Sequence, residues 1–338
     1  MSNTLLIYGA AGFTGRLIAR HAVDRGLDFE IAGRDQKSVS ALADELGVGF
    51  RVFSLDNGDE LGRGLEGIHC FLNCVAPMLG VAEDVALACI GAGVHYLDIG
   101  GEFPVYEHLA ALGEKAQEAG VMLLPGVGLG VVAGDGLAVH VANRVDQPSS
   151  LRIAMKQPGT VSAGTVASYQ NNLAVGPVVL SDGALVRLQE PIQRAFDFGE
   201  GAEPCALVSF GELISAPLST GINTIEQFAW IDQSAGTGAG YMDKYAGSTE
   251  TDRPALGPSA DEIESGSTSL AAEVTGADGS VVRSVIQLPS GYKYTYLIAV
   301  ECARRVLDGA VVPGYQSPSS ALGADVAASV PGVKIIDI

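Results

Sequence analysis

Thr4-Leu5-Leu6-Ile7-Tyr8-Gly9-Ala10-Ala11-Gly12-Phe13-Thr14-Gly15 is the stretch that decides the fold. Residues 4–8 form a short apolar run without polar alternation, as a central parallel strand buried on both faces requires. Three glycines follow at once. Gly9 permits a tight turn, Gly12 lets the backbone approach a diphosphate, and Gly15 lets the next helix pack closely on the strand. That helix is predicted over 15–25, with Leu17, Ile18, His21 and Ala22 on one face. Its first N–H groups have no partner within the helix and favour phosphate charge. Strand, glycine turn and helix thus stand in the order that dinucleotide binding needs, with Ala11, Phe13 and Thr14 completing the turn.

Outward from this unit the same rhythm continues. Strands are predicted over 29–32, 50–53, 70–75, 95–98 and 121–124, with helices over 38–46, 81–92 and 105–119 between them. The alternation predicts an α/β, doubly wound parallel sheet, a Rossmann domain over 1–130. The uncharged run 119–134 carries Pro125 and five glycines, so it reads as a buried strand and loop rather than a bilayer span. Beyond it the runs become longer and β-rich: 151–156, 184–189, 225–231, 268–274 and 281–288. Asp278-Gly279 marks a hairpin between the last two. One helix, over 294–307, completes a mixed α+β second domain across 131–309. Residues 234–266, rich in Gly, Ser, Thr and acid, read as a loop over the site or in solvent. Residues 310–338, including the apolar 333–336, are expected to pack back on the first domain.

The net charge of −19 repels phosphate backbones and anionic lipid, so nucleic acid and membrane are poor partners. Five cysteines (Cys70, Cys74, Cys89, Cys205, Cys302) form an odd set without a C-x-x-C pair, which points to a reducing compartment, no disulfide and no zinc. The first residues lack the basic flank and long apolar stretch of a signal peptide. A cytoplasmic protein without a metal is the expectation.

The cofactor type is read at the end of the second strand. An NAD protein usually places Asp or Glu there for the ribose 2′-hydroxyl. This chain has Ile31-Ala32-Gly33-Arg34-Asp35-Gln36-Lys37-Ser38, with no carboxylate at the strand tip and Arg34 immediately after it. Arg34 suits a 2′-phosphate, and Lys37 or Ser38 adds a second contact, so NADP is expected. Asp35 reads as a rival hydroxyl ligand or as the cap of the next helix. Asn73-Cys74-Val75-Ala76-Pro77 ends the fourth strand at the carboxyl edge, which makes Asn73, Ala76 and Pro77 candidates beside the nicotinamide-side ribose. Asp98 and Glu102, beside glycines at the end of the fifth strand, would orient substrate or relay a proton, or else cap a helix or pair with a base. Tyr169 is a third candidate acid. None of the ten tyrosines has Lys four residues on, which excludes the Tyr-x-x-x-Lys mechanism.

Together, G-A-A-G-F-T-G at 9–15, A-G-R at 32–34, A-G-V-H-Y-L-D-I-G-G-E at 92–102, S-A-G-T at 162–165 and P-G-Y-Q-S-P at 313–318 resemble the saccharopine dehydrogenase-like reductases. Within that family they most resemble the stand-alone branch that includes trans-acting enoyl reductases. The resemblance implies an NADP-binding Rossmann domain, a mixed-sheet second domain and hydride transfer. It carries Gly9, Gly12, Gly15 and Arg34 over as cofactor residues, with Ser162 and Thr165 lining the cleft. The chain departs at 125–128, where relatives often show a G-F-D-S-x-P-like run, and this leaves the substrate class open. The expected activity is NADPH-dependent reduction of an activated C=C bond in a small, acyl-type substrate. The alternatives are C=N reduction of the imine or saccharopine type, or a non-catalytic NADP-sensing regulator. A homodimer through the second sheet rests on fold type alone.

Overall fold

The computed structural model describes residues 4–190, 192–232 and 257–338. The first domain runs β1 (Leu5–Tyr8), α1 (Phe13–Asp24), β2 (Phe29–Gly33), α2 (Gln36–Leu46), β3 (Gly49–Val52), α3 (Gly58–Gly64), β4 (Cys70–Asn73), α4 (Ala82–Ala92), β5 (His95–Asp98), α5 (Phe103–Ala111), α6 (Gly113–Glu118) and β6 (Met122–Leu124). β1 pairs in parallel with both β2 and β4, so Leu5 faces Phe29 on one side and Cys70 on the other. Leu5, Leu6 and Ile7 are wholly buried, which accounts for their lack of polar alternation. The chain turns from one side of β1 to the other here, leaving a crevice at the carboxyl ends of β1 and β4. The helix predicted over 105–119 is two, α5 and α6. They meet at Gly113, where a Cβ would press on Tyr315.

The second domain follows as α7 (Leu129–Ala142), β7 (Pro148–Lys156), α8 (Ala163–Val175), β8 (Val178–Ser181), β9 (Ala184–Arg187), β10 (Gln193–Asp197), β11 (Ala202–Leu207), α9 (Glu212–Thr220), β12 (Ile225–Trp230), α10 (Ala260–Ser265), β13 (Ser267–Gly276), β14 (Val281–Pro289) and α11 (Gly291–Leu307). The strands form a mixed sheet in which β12 and β7 run parallel and the β13–β14 hairpin antiparallel. The domain therefore holds more than the single helix expected. α7 was hidden in the run read as strand and loop. Its residues from Val131 to Ala138 are all buried, so it is apolar all round and shows no helical period. Most of the loop expected over 234–266 lies outside the described residues. Its last part is α10, capped by Ser259 and Glu262 in a reciprocal pair of hydrogen bonds.

The tail divides between the sheets. β15 (Gly314–Tyr315) adds to β6 in the first sheet, and α12 (Pro318–Leu322) and a 3-10 turn (Ala324–Ala328) follow it. β16 (Lys334–Asp337) instead pairs with β14. The apolar residues at 333–336 thus lie on the second domain, contrary to the expectation. The Asp337 carboxylate holds them there by meeting His140, Ser284 and Arg144, each at 2.8 Å. One hydrophobic cluster runs from β1 and α1 through α7 and α11 to β13 and β14, binding the two sheets into a single core. Among the described residues no helix is long and apolar enough to cross a membrane. The five cysteines are free thiols.

A candidate dinucleotide and substrate cleft between the sheets

The glycine turn is built as its spacing requires. Gly9 has φ +79°, and a Cβ on Gly15 would stand 2.3 Å from the Gly9 carbonyl oxygen. α1 therefore packs directly on the turn that precedes it. Gly12 stands at the helix start without a side-chain cap, so the first N–H groups of a 12-residue helix are left for a ligand. Arg34 is exposed beyond the end of β2, with Lys37 exposed three residues later. Among the described residues neither enters an ion pair. Asp35 caps α2 by accepting from the Ser38 N–H at 2.8 Å through Oδ1. A glycine cradle that added methyl groups would fill, an uncapped helix start and an uncommitted guanidinium fit a dinucleotide with an adenosine-side phosphate.

Beyond the helix start opens a cleft of about 470 Å³. Its first-domain wall includes Gly12, Phe13, Thr14, Cys74, Ala76, Met78, Ile99 and Gly100. The opposite wall is the sheet face of Ile153, Met155, Gln227, Ala229 and Leu270, flanked by Ser162, Thr165, Tyr169 and Tyr292. Gly9, Ala11 and Gly15 sit behind the wall, in the turn itself. Asn73 is fully buried beneath it, with its Oδ1 accepting from the Val75 N–H at 3.1 Å. Pro77 is exposed beside Ala76.

The two carboxylates expected in the cleft do not line it. Asp98 is fully buried and accepts from the N–H groups of Gly100 and Gly126 at 2.8 and 2.9 Å and from the Tyr96 hydroxyl at 2.9 Å. Burial, opposed by these donors, pushes its pKa up to about 6. Its bonds tie the end of β5 to the turn after β6, which makes it a brace for the glycines on the wall. Glu102, also fully buried, accepts from Met78 N–H at 2.6 Å, Leu79 N–H at 3.2 Å, Ser168 Oγ at 2.7 Å and Asn171 Nδ2 at 2.8 Å. It thereby joins the loop after β4 to α8. Tyr169 does reach the cleft, its ring edge-on to Phe210 at 5.9 Å.

Two groups in the cleft had no sequence signal. Tyr292, near the start of α11, accepts from the Ser162 N–H at 2.6 Å and lies 2.9 Å from Thr165 Oγ1. Its ring meets Phe13 edge-on at 5.3 Å, so a hydroxyl cluster from the second domain abuts the glycine turn. Ser162 caps α8 and completes the cluster at 3.1 Å from Thr165 Oγ1. Glu212, at the start of α9, is a buried carboxyl on the cleft wall, and burial raises its pKa. Glycine spacing and strand-end position mark neither residue.

The fold and this cleft define a nicotinamide dinucleotide-binding protein of the NADP class. Residues 5–124 match the saccharopine dehydrogenase NADP-binding domain, so the first domain is similar to the cofactor domain of that family. A human saccharopine dehydrogenase-like oxidoreductase is 29% identical over 163 residues, 42% of this chain and 38% of the relative. A Mycobacterium tuberculosis protein named as a trans-acting enoyl reductase is 26% identical over 215 residues, 59% of this chain and 50% of that protein. The alignments thus cover half or less of these relatives' length. Saccharopine dehydrogenase (L-Glu forming) from Saccharomyces cerevisiae matches in fold over 100% of both chains with TM-score 0.66 at 14% identity. Homospermidine synthase from Legionella pneumophila, solved with NAD, matches over 100% of this chain and 91% of its own with TM-score 0.70 at 12% identity.

Proposed function

We propose that the chain is an NADPH-dependent reductase acting on an activated double bond of a small, largely apolar molecule. The observation that carries this reading is the cleft itself, which begins at the uncapped start of α1 and continues into an apolar sheet face. Bound NADPH supplies the hydride. The chain supplies the rest. Glycines 9, 12 and 15 and the start of α1 hold the diphosphate, and Arg34 and Lys37 take the 2′-phosphate. Ile153, Met155 and Leu270 exclude water from the acceptor carbon. Tyr292 accepts from a backbone N–H, so its own proton is left for Thr165 or for a substrate atom.

No Lys, Arg or His lines this cleft among the described residues, so a clamp for the carboxylates of an amino-acid substrate is missing. Conjugated C=C reduction agrees with the hydroxyl cluster, which would polarise a carbonyl oxygen. Reduction of C=N is the second reading, favoured by the carboxyl of Glu212. The test is NADPH oxidation, followed by its absorbance, against enones, enoyl thioesters and cyclic imines, with Tyr292→Phe as the variant. Turnover that falls in the variant while NADPH affinity holds supports the assignment. Tight NADPH binding with no turnover of any class overturns it and leaves a redox-sensing regulator.

A further inference from the structure

Glu212 is the one carboxylic acid on the wall of the cleft among the described residues. Gln227 hydrogen bonds its carboxyl, and its Oε1 fills a notch in α7, where a Cβ on Gly134 would stand only 2.9 Å away. Oε2 has no hydrogen-bond partner. Basic residues of the adjoining sheet are spent elsewhere: Lys156 pairs with Glu203, and Arg152 with Glu226 and Glu273. The charge nearby is of the same sign, since buried Asp135 acts with burial to raise the Glu212 pKa. A buried carboxylate with neither a cation nor a donor on one oxygen is costly, and Gln227 offsets only part of that cost.

We infer that Glu212 is the counter-ion for a protonated nitrogen of the substrate, so that the cleft takes a basic amine or imine that carries no carboxylate. Three observations converge on this chemistry. The unpartnered Oε2 wants an N–H donor. The rest of the wall offers rings and aliphatic groups, including Tyr169, Phe210 and Met155, which accommodate an alkylammonium through its methylenes and its charge. A net charge of −19 draws cations toward the molecule and repels acids. The inference rests on the reductase reading only where it treats this ligand as the substrate, and within that reading it selects C=N over C=C. A neutral Glu212 donating to a carbonyl oxygen is the competing role, and it predicts that Gln would serve in its place.

The experiment is calorimetric titration of the NADP-loaded chain with hexylamine hydrochloride, 1-hexanol and hexanoate, in wild type and in Glu212→Gln. The amine is expected to bind about ten- to hundredfold more tightly than the alcohol, the size of one charge-assisted hydrogen bond. Hexanoate should not bind. In Glu212→Gln the preference for the amine should vanish while NADPH affinity and Tm hold. Equal binding of alcohol and amine by the wild type overturns the inference without need of a variant. An undiminished amine preference in Glu212→Gln overturns it as well. Turnover is read separately: amine preference with no NADPH oxidation on any imine, enone or enoyl thioester keeps the cation subsite and removes the reductase reading.

Discussion

Gly12 and Gly15 stand three residues apart in one motif, yet alanine at each should fail differently. At Gly15 an added Cβ would lie 2.3 Å from the Gly9 carbonyl oxygen and 2.8 Å from Ala10 Cα. Both are backbone atoms of the turn that α1 packs upon, so no side chain can rotate away. Restoring ordinary contact needs a shift of about 1 Å between α1 and β1, which places Gly15→Ala at the upper end of overpacking costs, about 3 kcal/mol. At Gly12 the single close contact is the Gly9 carbonyl oxygen at 3.1 Å, and the residue has φ −73° and ψ 173°, a conformation open to alanine. Gly12→Ala should therefore cost under about 1 kcal/mol of stability. Its methyl group would stand on the cleft wall, where a diphosphate must approach the backbone, so NADPH affinity should fall by roughly tenfold or more. Urea unfolding followed by circular dichroism gives the first quantity, and titration of NADPH fluorescence gives the second. If Gly12→Ala unfolds as readily as Gly15→Ala, or binds NADPH as wild type does, the assignment of the two glycines is refuted.

Other outcomes are equally specific. Arg34→Ala should weaken NADPH by about tenfold or more through loss of a charge-assisted contact and leave NADH nearly unchanged; equal losses on both dinucleotides would remove the 2′-phosphate assignment. Glu102→Gln sets an amide donor against donors already in place and should cost about 3 kcal/mol in urea unfolding, whereas a cost below about 1 kcal/mol would show that the clamp is not holding the loop after β4 to α8. Burial raises the folded Asp98 pKa to about 6 from its ordinary value of 3.8, so the folded state binds more protons between those values and this group lowers stability as pH rises through that window. Buried His95, its pKa lowered to about 4 by burial and by His69, acts in the opposite sense there, adding stability as pH rises. The difference between wild type and Asp98→Asn isolates the first effect: the variant's relative stability should climb between about pH 4 and pH 6. A flat difference curve would mean that Asp98 is not perturbed.

The first domain was legible because each of its strands is buried on both faces and each turn carries its own chemistry. Leu5 to Ile7 are apolar because β2 and β4 flank them and helices cover them, and Asp35 caps α2 as its position beside Arg34 suggested. α7 was not legible, since a helix enclosed on nearly every side loses the polar stripe by which a helix is read. The division of the tail was equally hidden, because it is set by partners far away in sequence, Val121 for Gly314 and Arg283 for Ile338. In the site, position at a strand end located the right loops and assigned the wrong duty to their acids. Asp98 and Glu102 point into backbone donors that only the folded loops bring together. Glu212 and Tyr292 carry no local pattern, and they become visible only when α9 and α11 close over the cleft.

The clamp at Glu102 also determines how the molecule can breathe. Two of its four donors come from the loop after β4 and two from α8, so any swing that parts the sheets there strips a buried charge of half its solvation, a cost of about 3–5 kcal/mol. At the other rim, Phe13 meets Tyr292 edge-on and lies beside Gly257. The inner end of the cleft therefore keeps its shape as long as Glu102 stays seated among these donors.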